Sequence, residues 1–375
     1  MAADRRIRIL IVDDSAVMRS LLRSVIATDP AFEVAGTAAD GATALNAISL
    51  NAPDLVLLDV EMPVMDGLAT LRQLRSRGHK MPVVMCSSLT HRGAKVTIEA
   101  LAIGASDYVA KPSGQPGREA AASALAKELI PKIHALTGPR RPPAADLPAA
   151  RPAPANLPAP VCEPLPPFRP LVVAIGVSTG GPAALDVLLP ALPGDFPLPI
   201  LIVQHMPEVF TGLFAERLNR HCRVHVCEAS EGEPVKPGVA YVARGNWHLQ
   251  VVACGRTGKT ATLHLNQEPP ENHCRPAVDA LFRSVAGVYA SGTLALVLTG
   301  MGSDGLVGCR LIRSLGGVVL AQDEATSTVW GMPGAVAQAG LAQKVLPLSS
   351  IAAEIVRLAN PAQKPVARIP SPMVA

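Results

Sequence analysis

The run Val172–Gly181 reads VVAIGVSTGG, an apolar stretch that stops on Ser178 with Gly176 before it and Gly180 and Gly181 after it. Gly176 to Gly180 fits G-x-S-x-G, whose glycines let a chain turn sharply at a strand end and present a serine hydroxyl. The same residues would also suit a plain strand-to-helix turn or a phosphate site. The dinucleotide fingerprint fails, because Ser178 stands where its second glycine belongs, and no GxxxxGKS/T is present. A serine nucleophile needs a base and an orienting carboxylate. Of the six histidines beyond residue 170, only His205 follows directly on a strongly apolar run, PILIVQH, which would put it at the same sheet edge as Ser178. Asp304, in the glycine-rich loop of LALVLTGMGSDG, is the best-placed carboxylate; Asp186, Asp195, Asp279 and Asp323 are less well placed. The order Ser, His, Asp departs from the Ser, Asp, His of nucleophile-elbow hydrolases, so a different fold is expected.

A second cluster lies nearer the start of the chain. Asp13 and Asp14 end one apolar run, Asp59 ends another, Ser87 and Ser88 a third, and Lys111 follows DYVA. Taken singly, Asp13 and Asp14 are ordinary helix caps, Asp59 a turn residue and Lys111 a solvated charge. If the runs are parallel strands, these ends converge. Three carboxylates meeting at one point need a hard cation, and oxygen ligands suit Mg²⁺. A lysine and a hydroxyl beside them suit a phosphoryl group. A third grouping, HCRVHVC (His221 to Cys227), has the atoms for zinc but not the placement: as an alternating strand it puts Cys222, Val224 and Val226 on one face and His225 and Cys227 on the other.

The elements that must position these residues follow from periodicity. Apolar runs at Ile7–Val12, Phe32–Gly36, Asp54–Val60, Met81–Ser87 and Asp107–Ala110 alternate with helical patterns, such as Val17, Leu21 and Val25 beside Met18, Leu22 and Ile26. That alternation predicts a five-stranded, doubly wound parallel sheet. Runs at Leu171–Val177, Pro199–Gln204, Val239–Ala243, Leu294–Thr299 and Gly317–Ala321 predict a second α/β domain with a mainly parallel sheet. Between them, 12 of the 32 residues from 139 to 170 are proline, which favours an extended spacer. The expected division is 1–136, a spacer at 137–170, 171–360, and a disordered tail at 361–375.

Composition narrows the function classes. Residues 1–138 and 171–375 each carry 15 basic and 14 acidic side chains, so each domain is nearly balanced, half of the net charge of +4 lies in the spacer, and neither domain is a platform for nucleic acid. No apolar run approaches a membrane span of ~18 residues, and RRIRILIV runs straight into Asp13, so a strand rather than a signal peptide is expected. Seven cysteines without a CxxC pair suit reduced thiols and a cytoplasmic protein.

ILIVDDS, LVLLDVEMPVMDG, VVMCSS and DYVAKP, over about residues 5–125, resemble the receiver domain of two-component response regulators. The resemblance implies that Asp59 is the phosphoacceptor, that Asp13, Asp14 and Asp59 hold Mg²⁺, and that Ser87, Lys111 and Tyr108 read the phosphoryl group. IGVSTGG, QHM, GMGSDG and DEATSTVWGMPG, over about residues 170–358, resemble the catalytic domain of the chemotaxis protein-glutamate methylesterases. This second resemblance implies a triad of Ser178, His205 and Asp304, an oxyanion hole at the Met301 N–H with Thr179 beside it, and no cofactor for hydrolysis. It also implies methyl-accepting chemoreceptors as substrate, receptor glutamines as a further substrate, a chemotaxis histidine kinase as phosphodonor, and relief of inhibition on phosphorylation. Val177, where alanine is frequent, and the Pro/Ala-rich spacer are small departures. Two rival readings are a transcriptional output domain, against which charge and strand pattern speak, and a hydrolase of small soluble esters.

Overall fold

A computed structural model describes residues 5–112, 115, 117–138, 168–254 and 260–360. The first domain alternates β1 (Ile7–Val12), α1 (Ala16–Ile26), β2 (Phe32–Ala38), α2 (Gly41–Asn51), β3 (Leu55–Asp59), α3 (Gly67–Ser76), β4 (Val83–Ser87), α4 (His91–Ile103), β5 (Asp107–Ala110) and α5 (Arg118–Thr137). Its sheet is parallel throughout, in the order β2-β1-β3-β4-β5. Strands β3 and β4 are buried along their whole length, as continuous apolar runs covered on both faces should be. Helix α1 starts where the Ser15 hydroxyl accepts from Met18 N–H, and it buries Leu21, Leu22, Val25 and Ile26. Val17, expected on that face, stands in the first turn and is exposed. Helix α5 continues to Thr137, one residue into the expected spacer.

The second domain comprises β6 (Val172–Val177), α6 (Gly181–Leu188), β7 (Ile200–Gln204), α7 (Glu208–His221), β8 (His225–Glu228), β9 (Val239–Val242), β10 (His248–Cys254), β11 (Thr260–Asn266), α8 (Val278–Tyr289), β12 (Thr293–Val297), α9 (Leu306–Ser314), β13 (Val318–Gln322), α10 (Met332–Gln338), β14 (Lys344–Leu346) and α11 (Leu348–Ala359). Seven strands form a parallel sheet ordered β14-β13-β12-β6-β7-β9-β8, and β10 and β11 form a separate antiparallel ribbon. All ten expected strands are present, two of them residue for residue and the others with an end shifted by a residue or two. HCRVHVC is not one strand: α7 runs through His221, Cys222 caps it, and β8 begins at His225. The helix end parts the histidines, and among the described residues this group forms no metal-ligand cluster. Most of the expected spacer, 139–167, and the tail, 361–375, lie outside the described residues.

The domains pack together. Helix α4 lies against α6 and α7. One apolar cluster contains buried side chains of both domains, Tyr108 and Phe210 among them. The rings of these two are stacked with centroids 4.7 Å apart.

Candidate active site

In the second sheet the chain leaves β6 for β7 on one side and returns to β12 on the other. The crevice at such a reversal, beyond the strands' carboxyl ends, is where open α/β sheets build sites. Ser178 follows β6, His205 follows β7, and the loop after β12 carries Asp304. The turn at Ser178 depends on small residues. A Cβ on Gly176 would meet Val278 at 2.3 Å, and Gly180 has φ +78° with Thr328 2.4 Å from where its Cβ would be. Gly300 is equally tight: its Cβ would stand 2.9 Å from Cβ of Ser178.

His205 and Asp304 are brought together, with Nε2 2.9 Å from Oδ2. Asp304 is 3% exposed and fully engaged. It accepts from the N–H groups of Val278 (2.7 Å), Asp279 (3.0 Å) and Gly305 (2.9 Å) and from Asn272 Nδ2 (2.8 Å). Val278 and Asp279 open α8, which has no side-chain cap of its own, so Asp304 also closes that helix's N-terminus. Burial works against its charge, but the His205 bond and these N–H donors outweigh it and hold the carboxyl below its ordinary range. For His205, burial likewise opposes the charged form, and the bonds to Asp304 and to Cys274 override it, carrying the imidazole up to about 9. Nδ1 of the ring lies 3.5 Å from Cys274 Sγ. Ser178 Oγ makes no hydrogen bond to the ring among the described residues.

Beside Ser178, the N–H groups of Thr179 and Met301 have no hydrogen-bond partner among the described residues. The Gly300–Met301 segment is pinned from below. Gly300 N–H donates to Val329 O (3.0 Å), and Gly300 O accepts from Gly331 (3.0 Å) and Met332 (2.8 Å). Thr299 Oγ1 donates to Thr179 O at 2.9 Å. These contacts give DEATSTVWGMPG its task in the fold: it supports the loop that faces the serine.

A cavity of about 960 Å³ holds Ser178, His205 and Met301 on one wall and Asp107, Tyr108 and Lys132 of the first domain on the other. Thr179 Oγ1 donates to Asp107 Oδ2 at 2.7 Å. Tyr108 is buried between Phe210 and Lys132, whose Nζ is 5.0 Å from the ring centroid.

In the first domain, Asp13, Asp59, Ser87 and Lys111 converge at the carboxyl ends of the strands. Lys111 Nζ lies 2.8 Å from both Asp13 Oδ2 and Asp59 Oδ2. Asp59 is buried, and desolvation raises its pKa; Lys111 pulls it down, and the neighbouring Asp13 pushes it up. Lys111 remains charged, because the two carboxylates overcome its burial. One carboxylate oxygen each of Asp13, Asp14 and Asp59 lies within 4.8 Å of the others, and Asp14 is exposed. This all-oxygen set, partly open to water, fits Mg²⁺. Ser87 is buried and donates to Ser88 O at 3.2 Å.

Sequence reasoning missed Asn272, Cys274 and the opening of α8. The stretch ENHCRPAVD has no strand end and no motif to announce it, although it alone brings an amide, a thiol and two free N–H groups to the His205–Asp304 pair.

A receiver-type sheet with an acidic pocket, packed against a parallel α/β domain whose crevice holds a serine and a His–Asp pair, defines the class: a response regulator with an enzymatic output domain. Residues 9–121 match the family described as the response regulator receiver domain, and residues 173–355 match the family described as CheB methylesterase. A protein-glutamate methylesterase/protein-glutamine glutaminase of Trichodesmium erythraeum (strain IMS101) is 47% identical, with 94% of this chain and 99% of the relative covered. One of Nocardioides sp. (strain ATCC BAA-499 / JS614) is 49% identical over 94% of this chain and 95% of the relative. The solved catalytic domain of Thermotoga maritima CheB methylesterase is 42% identical, covers 50% of this chain and 98% of its own, and superposes with a TM-score of 0.49. The chain belongs to the protein-glutamate methylesterase/protein-glutamine glutaminase family.

Proposed function

We propose that this chain is a phosphorylation-activated serine hydrolase of chemotactic adaptation, acting in the cytoplasm on glutamate methyl esters, and on glutamines, of chemoreceptors. The observation that carries the reading is the His205–Asp304 pair in a cavity shared by Ser178 and the receiver. With Nε2 engaged by Asp304, Nδ1 is the nitrogen that takes the Ser178 proton as Oγ attacks the γ-carbonyl. Asp304 fixes that tautomer and stabilises the imidazolium. The N–H groups of Met301 and Thr179 receive the oxyanion, an interaction often worth ~3–4 kcal/mol. His205 then protonates the leaving methanol, or ammonia from an amide, and activates the water that releases glutamate.

In the receiver, residues 1–136, Asp59 is the phosphoacceptor, with a chemotaxis histidine kinase as donor. Asp13, Asp14 and Asp59 would hold Mg²⁺, which neutralises phosphoryl oxygens when bound. Lys111 and Ser87 contact the transferred group, and Tyr108 responds to it. The resting receiver closes the site through Asp107 and Tyr108; phosphorylation releases it. The catalytic unit is 171–360, joined to the receiver through the spacer at 137–170. Hydrolysis itself needs no cofactor. The test is methanol release from methyl-labelled receptor membranes: wild type should release it and Ser178→Ala should not, whereas activity confined to small soluble esters would favour the rival hydrolase.

A further inference from the structure

Two buried carboxylates lie behind His205, and the mechanism above uses one of them. Asp304 and Asp279 are each 3% exposed, and among the described residues Asn272 is the one side chain that hydrogen-bonds both. Its Nδ2 donates to Asp304 Oδ1 at 2.8 Å and to Asp279 Oδ2 at 3.1 Å. A carboxamide turned the other way would aim its oxygen at two carboxylates, so the chemistry of the site fixes its orientation. Asn272 is exposed and lines the active-site cavity, whereas neither carboxylate does. The amide therefore stands between the cavity and the pair. The other donors to Asp304 come from behind: Oδ1 takes the N–H groups of Asp279 and Gly305, and Oδ2 takes that of Val278 and faces His205 Nε2. Burial raises the pKa of Asp279 and the Asp304 charge adds to this, while the Gly308 N–H and the Asn272 amide oppose it. The loop is anchored as well. Glu271 and Cys274 exchange backbone hydrogen bonds of 3.1 and 2.8 Å, closing a two-residue turn, and Glu271 pairs with Arg283 of α8. The central residues Asn272 and His273 have φ of 50° and 63°, the left-handed pair of a type I′ turn. Asparagine suits that conformation for local reasons alone, so a turn former and a bridging amide have to be told apart.

We propose that Asn272 is a positioning residue of the hydrolase: its amide clamps Asp304 Oδ1 so that Oδ2 meets His205 Nε2, and it screens Asp304 from Asp279 and from water in the cavity. This rests on reading His205 and Asp304 as the base and orienting carboxylate of Ser178. The clamp acts alike on a neutral and a charged ring, because Nε2 carries its proton in both. It matters most once the Ser178 proton has reached Nδ1. The imidazolium then depends on an Asp304 that neither turns nor takes up water. Without the amide, two buried carboxylates face each other with one donor fewer between them, and the cavity opens onto Asp304.

Full-length wild type, Asn272→Gly and Asn272→Asp are assayed for methanol release with phosphodonor and Mg²⁺ present, and the His205 Nε2–H proton resonance is recorded for each. Glycine and aspartate both tolerate the left-handed conformation, so both keep the turn. Glycine removes the amide, and aspartate puts a third carboxylate in its place. Losing a hydrogen bond to a charged group should lower kcat of Asn272→Gly roughly tenfold or more, with KM unchanged. Asn272→Asp should fall further, since it adds like charge against Asp304. A residue that only forms the turn would leave both near wild type. In Asn272→Gly the Nε2–H resonance should move upfield and its exchange with water should quicken. Asn272→Asp decides the matter should the glycine variant not fold. An unchanged kcat in either folded variant, a kcat for Asn272→Asp equal to or above that of Asn272→Gly, a change in KM alone, or an Nε2–H resonance indifferent to Asn272→Gly overturns the proposal. The resonance is read without turnover, so activity retained by Ser178→Ala would sink the nucleophile assignment separately.

Discussion

Thr179, the residue after Ser178, donates its hydroxyl to Asp107 of the other domain at 2.7 Å, and both side chains are buried. Asp107 opens β5, the strand that also carries Tyr108 and leads to Lys111. One short strand thus leads to the acidic cluster at Asp59 and touches the neighbour of Ser178. A buried hydrogen bond to a charged group contributes about 1.5–3 kcal/mol. Asp107→Ala should therefore raise the activity of the unphosphorylated chain roughly tenfold or more. The methanol-release rate without phosphodonor checks this.

Ser178→Ala and His205→Ala should each reduce turnover by at least about a thousandfold, since members of such a unit fail together. Circular dichroism should be unchanged for Ser178→Ala, because its side chain makes no hydrogen bond that holds the fold among the described residues.

Asp304→Asn should cost on two counts. Turnover should fall by about 10⁴ through loss of the tautomer control. Stability should fall by about 2 kcal/mol, because an amide cannot accept from all the N–H groups opening α8. Denaturant melts of Asp304→Asn beside Ser178→Ala separate the effects, since only the former should shift the midpoint.

The pH dependence has a definite sign. His205 stands at about 9 in the fold against an ordinary 6.5. Its pairing with Asp304 therefore stabilises the fold fully below 6.5 and loses that contribution as pH rises through about 9. The base must be neutral to act, so kcat/KM should climb with pH up to about 9. A pH–rate profile of wild type checks the limb, and a plateau already reached near neutrality would contradict it.

The strands were legible in the sequence because those beside the site residues are mostly apolar runs with a polar residue at or soon after their carboxyl ends. Ile7–Val12 and Asp107–Ala110 match their runs residue for residue. The β10–β11 ribbon was not, since HLQVVAC and TATLHLN mix polar and apolar residues as a half-exposed pair does. Ser178, His205 and Asp304 stood out by residue type and strand-end position. Cys274 and Asn272 did not, because they reach the site from a turn whose placement depends on α8 and Arg283, contacts with no local signature. The Thr179–Asp107 bond spans 72 residues of sequence between two domains, and only the packed structure brings the two together.

The central claim is that the receiver covers Ser178 and that phosphorylation of Asp59 uncovers it. A side-by-side methylesterase assay tests it most directly, using the full chain, Asp59→Asn, and the chain lacking residues 1–168, each with and without a small phosphodonor and Mg²⁺. The account predicts that the shortened chain exceeds the resting full chain and ignores the donor, that wild type rises with the donor, and that Asp59→Asn stays at the resting level. A shortened chain no faster than the resting full chain would contradict covering, and the receiver would then have to act as a positive effector.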